Sequence, residues 1–257
     1  ICTVMGNDKD IKSSLNKFKK KIKNKIFYEK EKITTRKRRF VENAYNKKIS
    51  EVYFMDDNLL GKKNKKKMIS YLRKEVNKFD TVIIIDYGHG FIDQDIYKVL
   101  KQKAKFLAIN CQSNSANLGF NLITKYSVSD YVCIDEPELR LAASDNINGI
   151  ENIVSKKINK KIKCNNITIT RGRNGSFSYL NSKILNTPAL ISDKVIDTIG
   201  AGDVFLVITS LLYSIQTDQL VTNIIGNIAG ALKVDILGHS KSISKTNFYA
   251  VLNHILK

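Results

Sequence analysis

One stretch of this chain carries residue types that could do chemistry at close quarters: Asp197-Thr198-Ile199-Gly200-Ala201-Gly202-Asp203, followed at once by the apolar run Val204-Phe205-Leu206-Val207-Ile208. Two glycines flanking an alanine let the backbone turn tightly and aim several N–H groups in one direction. The apolar run predicts a helix starting there, so those donors would sit at a helix N-terminus, where unpaired N–H groups and the helix dipole favour an anion. Asp203 is then the odd residue, a carboxylate where an anion is expected. A general base that deprotonates a hydroxyl attacking a phosphate would have to stand there. The plainer alternative is a glycine loop whose Asp only caps the next helix.

Other candidates stand where predicted strands end. Asp86 closes the run Thr81–Ile85 and leads into Tyr87-Gly88-His89-Gly90, and Asn110 and Gln112 follow Phe106–Ile109. Asp135-Glu136-Pro137-Glu138 follows Tyr131–Ile134. Three acids around an early proline suit a helix start through the dipole alone; the alternative is that they hold a hydrated Mg²⁺. Arg171-Gly172-Arg173-Asn174-Gly175 is a turn after Asn166–Thr170, and a hairpin of Ser176–Leu180 with Lys183–Asn186 follows.

Continuous apolar strands alternating with helices imply a parallel sheet covered on both faces, with ligands at the carboxyl ends of its strands. Helices are predicted over Asp93–Lys103, Gly202–Ile215, Leu220–Leu237 and Ile243–Leu256, and on the stripe Met68, Ile69, Leu72, Val76, Phe79. Near the start, Asp8 could cap an amphipathic helix with Ile11, Leu15, Phe18 and Ile22 inward. Between about 33 and 55 two β-rich runs flank the polar turn Asn43–Lys48, which predicts a hairpin. Its first strand carries Arg36-Lys37-Arg38-Arg39. Those charges either blunt an exposed edge or, through Lys37 and Arg39 on one face, reach an anionic substrate.

With 257 residues the chain can bury a full core as one large α/β domain. Its net charge of +19 comes mostly from lysine and is spread along the chain, so nucleic acid is not expected as the main partner, although a basic surface would steer phosphorylated substrates. The four cysteines show no metal-binding or disulfide spacing. No apolar run is long enough to span a membrane, and a cytoplasmic location is expected. There is no GxxxxGK[ST] string, which disfavours a P-loop kinase.

The string Asp197–Asp203 resembles the D-T-x-G-A-G-D signature of the PfkB/ribokinase family of sugar and nucleoside kinases, and further stations match in order over nearly the whole chain. Asp86-Tyr87-Gly88-His89-Gly90 is similar to the D-Y-G-x-G of the heptose-phosphate kinase branch. Asp135-Glu136-Pro137-Glu138 stands at the N-x-x-E motif, with Asp135 in place of Asn. Thr170–Gly175 resembles the T-x-G-x-x-G turn, Gly226-Asn227 a late helix beside the adenine, and Lys37–Val41 a lid strand of kinases acting on sugar phosphates. Val4-Met5-Gly6-Asn7-Asp8 resembles the V-x-G-x-D that follows the family's first sugar-binding segment, so preceding sequence is expected to be missing from this single domain of residues 1–257.

The resemblance implies a ribokinase-like α/β fold, a mostly parallel sheet with helices on both faces and a small β-hairpin lid. It implies ATP and Mg²⁺, and a sugar or sugar phosphate as acceptor. Asp203 would be the base and Gly200, Ala201 and Gly202 the anion hole. Thr170, Arg171, Gly172, Gly175 and Asn227 would bind nucleotide, Lys37, Arg39 and Asn110 the acceptor, and Glu138 with Asp135 the metal. A homodimer through the lid is also open. The rival expectations are an inactive or regulatory kinase-like domain of a larger protein, with a nucleotidyltransferase as one fusion partner, and a basic nucleic-acid binder.

Overall fold

The chain divides into two units, Ile1–Val76 with Gly88–Gln102, and Asn77–Tyr87 with Lys103–Lys257, in a computed structural model that describes residues 1–6, 8, 22–42, 47–56, 58–114, 117–190 and 195–255. In the first unit, β1 (Cys2–Met5) pairs in parallel with β2 (Lys25–Tyr28). The second of these strands is not foreseen by the sequence reading. The helix expected from Asp8 through Ile11, Leu15 and Phe18 lies outside the described residues.

The predicted hairpin forms from β3 (Arg36–Glu42) and β4 (Lys47–Phe54), antiparallel, with Lys37 opposite Tyr53 and Arg39 opposite Glu51. The strand period of two separates its cations: Lys37 and Arg39 are half-buried, whereas Arg36 and Arg38 are exposed on the other face. Most of the turn between the strands falls outside the described residues. Next, α1 (Lys62–Glu75) buries Met68 and Leu72 and tightens into a 3₁₀ turn at Val76–Lys78. That change of pitch takes Phe79 off the apolar stripe, and it is half exposed. Asp93 caps α2 (Gln94–Lys103), its Oδ1 accepting from the N–H groups of Asp95 and Ile96.

The second unit holds a six-stranded sheet. Its strands are β5 (Val82–Asp86), β6 (Leu107–Cys111), β7 (Tyr131–Asp135), β8 (Asn166–Thr170), β9 (Ser176–Leu180) and β10 (Lys183–Thr187), in the order β10-β9-β8-β7-β6-β5. From β5 to β8 every pairing is parallel; β9 and β10 are antiparallel additions. The β9–β10 turn places Asn181 and Ser182 at positive φ, as a tight two-residue hairpin turn requires. Between β7 and β8 lie α3 (Glu136–Ala143) and α4 (150–161), the latter π-helical over Ile153–Ile158. After the sheet come α5 (Ala201–Ser214), α6 (Gln219–Val234) and α7 (Lys245–Ile255).

Continuous burial on both faces explains why these strands read as unbroken apolar runs. Tyr131 and Cys133 pack with Phe205, Leu206 and Tyr213 of α5, while Val132 and Ile134, which point the other way, are equally buried. The α5 and α6 side also carries polar bonds: Tyr131 Oη lies 2.9 Å from Thr209 Oγ1, and Asn223 and Gln219 donate to Ser178 Oγ at 2.6 and 2.8 Å. The fold is therefore α/β and ribokinase-like, with a mostly parallel central sheet and a separate small hairpin. Among the described residues no helix is long and apolar enough to cross a membrane.

Candidate active site

Gly200 is the N-cap of α5 with φ +79°, a left-handed conformation that glycine adopts without strain. The turn before it is held by Asp197, whose Oδ1 accepts from Ile199 N at 3.0 Å and whose Oδ2 accepts from Gly238 N at 2.8 Å. Ala201 N makes one long bond to Thr198 O, 3.3 Å. Among the described residues no acceptor meets the N–H of Gly202 or Asp203. These are the orphan donors that every α-helix start leaves.

Asp203 does not cap the helix from its N-cap position; it lies in the first turn, and its side chain meets two strand-end residues. Gln112 Nε2 donates to Asp203 Oδ1 at 3.0 Å, and Tyr87 Oη donates to the same oxygen at 3.4 Å. Burial and the neighbouring Asp203 charge push the Tyr87 hydroxyl well above its ordinary range, so it stays a donor throughout the neutral range. Both residues stand at strand ends that the sequence reading singled out, but it gave neither a role. The strand β6 runs two residues further than its apolar run suggests, to Cys111, which puts Gln112 at its mouth. Asn110 is instead a buried strand residue whose Nδ2 donates to Cys133 O at 2.8 Å.

The loop after β5 is fixed from below. Asp86 is buried, accepts from Tyr126 Oη at 2.6 Å and is ion-paired with Lys125. Asn121 Nδ2 donates to the carbonyls of Asp86 and Gln112, tying the two strand ends together. Asn114 and Asn117 both donate to Tyr87 O at 3.0 Å.

At the next strand end, Asp135 and Glu138 form a capping box. Asp135 Oδ1 accepts from Glu138 N at 2.8 Å and Glu138 Oε2 from Asp135 N at 3.0 Å. The second Glu138 oxygen accepts from Ser113 N at 3.1 Å. Burial first, and the Asp135 charge second, push the Glu138 carboxyl up to about 8. Each Glu138 oxygen carries one N–H bond and keeps acceptor capacity, and among the described residues no group of three metal-binding side chains occurs. A magnesium ion carried on phosphates would favour the ionised form of Glu138, and with Asp135 it could then take the ion or its waters.

Thr170 pairs in register with Asp135 across β7 and β8. Arg171 Nε reaches Glu136 Oε2 at 3.2 Å, so the acidic helix start and the arginine turn are neighbours. That turn closes on itself: Arg171 N donates to Gly175 O, Asn174 N to Arg171 O and Gly175 N to Gly172 O. Gly175 has φ +75°, and a Cβ there would stand 2.0 Å from Thr187 O. The segment just beyond, at Pro188, accepts a bond from Asn227 Nδ2 at 2.9 Å.

The second unit thus gathers Asp203, Glu138, Asp135, Thr170 and Arg171, with Tyr87 and Gln112, at the carboxyl ends of β5 to β8 and the start of α5. Lys37 and Arg39 belong to the hairpin of the first unit. There Arg39 is ion-paired with Glu51, Tyr53 Oη donates to Glu51 Oε2 at 2.7 Å, and the Lys37 ammonium lies 5.3 Å from the Tyr53 ring centroid.

Residues 2–219 match the model of the pfkB family carbohydrate kinases. A curated relative, the bifunctional protein HldE of Aliarcobacter butzleri, is 23% identical over 248 residues, which is 93% of this chain and 49% of that protein. The chain spans about half the length of the curated relatives it matches. Among solved structures, the phosphofructokinase-2 from Escherichia coli in complex with substrates and products superposes with a TM-score of 0.75 at 12% identity, covering 100% of this chain and 82% of that one. Arabidopsis thaliana ribokinase complexed with ribose and ATP gives 0.70 at 13% identity, covering 98% and 80%. With its family model matched over most of its length and its strand-end site on the same fold, the chain belongs to the pfkB family of carbohydrate kinases.

Proposed function

We propose that this chain transfers the γ-phosphoryl group of ATP to a hydroxyl of a sugar or sugar phosphate. The observation that carries the reading is the Asp203 carboxylate, held by Gln112 and Tyr87 in the first turn of a helix whose Gly202 and Asp203 N–H groups make no bond to any described residue. Asp203 would accept the hydroxyl proton as the new O–P bond forms and the bond to ADP breaks. The N–H groups at Gly200, Ala201 and Gly202 would hold the transferring group, and one such donor is worth roughly 3–4 kcal/mol in comparable sites. Gln112 and Tyr87 keep the base oriented.

For the nucleotide, family membership nominates Thr170, Arg171, Gly172, Gly175 and Asn227; the ribokinase structure in complex with ribose and ATP supports ATP as donor. Glu138 and Asp135 would hold Mg²⁺ through its waters, and the ion would neutralise charge on the phosphates. For the acceptor, the family resemblance nominates Lys37, Arg39 and Asn110, and a cationic strand suits a phosphorylated sugar such as heptose 7-phosphate. The test is an ADP-release assay over sugars and sugar phosphates, with the full-length protein and with Asp203→Asn. Turnover that requires Asp203 supports the reading; unchanged turnover in the variant removes the base assignment.

A second reading, a kinase-like regulatory domain in a longer polypeptide that could also carry a nucleotidyltransferase, is favoured by one observation: the relatives are bifunctional and about twice as long as this chain. It predicts nucleotide or sugar binding without transfer in the same assay.

A further inference from the structure

We propose that Lys233 is a positioning residue of the anion loop, an internal ammonium that fixes the turn behind Gly200 and lends positive charge to the start of α5. The inference rests on the phosphoryl-transfer reading and adds a residue that none of the motifs contains.

Lys233 lies in the last turn of α6 and is only 5% exposed. Its Nζ donates to Gly238 O at 2.9 Å and, more weakly, to Ile236 O at 3.4 Å. Among the described residues no carboxylate stands within ion-pair distance of it. Burying an ammonium on carbonyl dipoles alone is costly, so the position calls for a use of that charge. Its surroundings supply one. A Cβ added to Gly200 would meet Lys233 Cε at 3.2 Å and Nζ at 3.9 Å, so the ammonium lies directly behind the residue that opens α5.

The same lysine closes a circuit of backbone ties. Lys233 holds the carbonyl of Gly238, and Gly238 N donates to Asp197 Oδ2. Asp197 in turn holds Ile199 N, and the N–H groups of Ile196 and Asp197 donate to Val234 O, one residue beyond Lys233. The chain entering the anion loop is therefore fastened to the end of α6 and to the segment just after it. Without the ammonium, the Gly238 carbonyl loses its partner and the Asp197 anchor loses its backing. A buried, fixed cation such as Lys233 is also screened less by water and salt than a surface lysine, and so acts more strongly on an anion beside it.

The test compares Lys233→Ala with wild type in the full-length protein. Turnover number should fall about 10²-fold, the scale of a small misplacement of reacting groups, while KM for ATP moves less than about threefold. Ammonium chloride should restore much of the loss by entering the vacated space, and sodium chloride at equal ionic strength should not. A purely structural lysine would not give that difference. Calorimetry provides a readout without turnover: the preference for the non-hydrolysable ATP analogue AMP-PNP over ADP should drop about tenfold, or 1.4 kcal/mol.

If wild type phosphorylates no acceptor, the kinase reading fails, and the nucleotide preference alone then decides the role of Lys233. Unchanged turnover and preference in a folded variant overturn the proposal, as does a loss that ammonium leaves unmoved. Should Lys233→Ala not fold, Lys233→Met, which keeps the buried stem, carries the same measurements. Misfolding of both overturns it as well, since that assigns the lysine to the core.

Discussion

Two glycine turns of the second unit, Arg171–Gly175 and Asp197–Asp203, look alike as strings and differ in what holds their shape. The first closes the N–H groups of Arg171, Asn174 and Gly175 on its own carbonyls, leaves those of Gly172 and Arg173 without an acceptor among the described residues, and ends on a glycine because another backbone passes 2.0 Å from where a Cβ would be. The second leaves the N–H groups of Gly202 and Asp203 without an acceptor among the described residues and is held instead from outside, through the Asp197 side chain. Each turn leaves two donors unspent. What separates them is that the first keeps its shape by its own bonds and the strand packed against Gly175, whereas the second opens a helix of 14 residues and is held through Asp197.

Five substitutions test that division, and they should fall in a definite order. Asp203→Asn strikes the open turn at its reacting group and should lower turnover by about 10²–10⁴, the usual worth of a positioned base, with nucleotide affinity by calorimetry little changed. Gly175→Ala strikes the closed turn. It should cost about 3 kcal/mol from left-handed strain and the clash with Thr187, seen as a melting temperature lower by roughly 6–12 °C. Gly200→Ala combines strain of about 1–2 kcal/mol with pressure on Lys233, and steady-state kinetics should register a loss near tenfold. If Gly200→Ala proved the more destabilising of the two glycine changes, the distinction would be reversed.

The smallest effect belongs to the donors on Asp203. Gln112→Ala, which removes a 3.0 Å bond, should reduce turnover more than Tyr87→Phe, which removes one of 3.4 Å. Both should lie within about twofold to tenfold. Because burial and Asp203 hold the Tyr87 hydroxyl above its ordinary range, it does not lose its proton below about pH 10. The alkaline side of the pH–rate profile should therefore keep its shape in Tyr87→Phe.

Much of this arrangement was legible in residues whose local preference and final environment agree. The apolar run before Asp86 is a strand because both its faces are covered, and Gly200 is a glycine because its φ is positive. Legibility failed where the fold decides against local pattern. The strand Lys25–Tyr28 is four residues long within a lysine-rich stretch and takes its conformation from pairing with Cys2–Met5. Asn110 and Cys111 are polar enough to suggest a loop, yet both pair with β5 inside the sheet; that error of two residues put Asn110 forward for a role and left Gln112 without one. The helix 150–161 carries an apolar stripe at Ile150, Ile153, Val154 and Ile158 that was available and unread, whereas its π-helical middle has no sequence signature. Lys233 looked like one more lysine on a helix, because burial is a property of the packed neighbours and not of the residue.

The Asp203 cluster is assembled across long distances in the chain: Asp203 bonds to Tyr87 over 116 residues and to Gln112 over 91. During synthesis, domains take shape from the amino end as the chain emerges, and contacts this remote close only after the intervening segments have ordered. The strands β5 to β8 are complete some thirty residues before Asp203 leaves the ribosome, a gap read directly from their positions in the chain. A nascent or clipped chain ending short of α5 can hold those strand ends and still lack Asp203 and its glycine turn. The Asp203 cluster therefore forms only after strands β5 to β8 have left the ribosome, when the start of α5 docks.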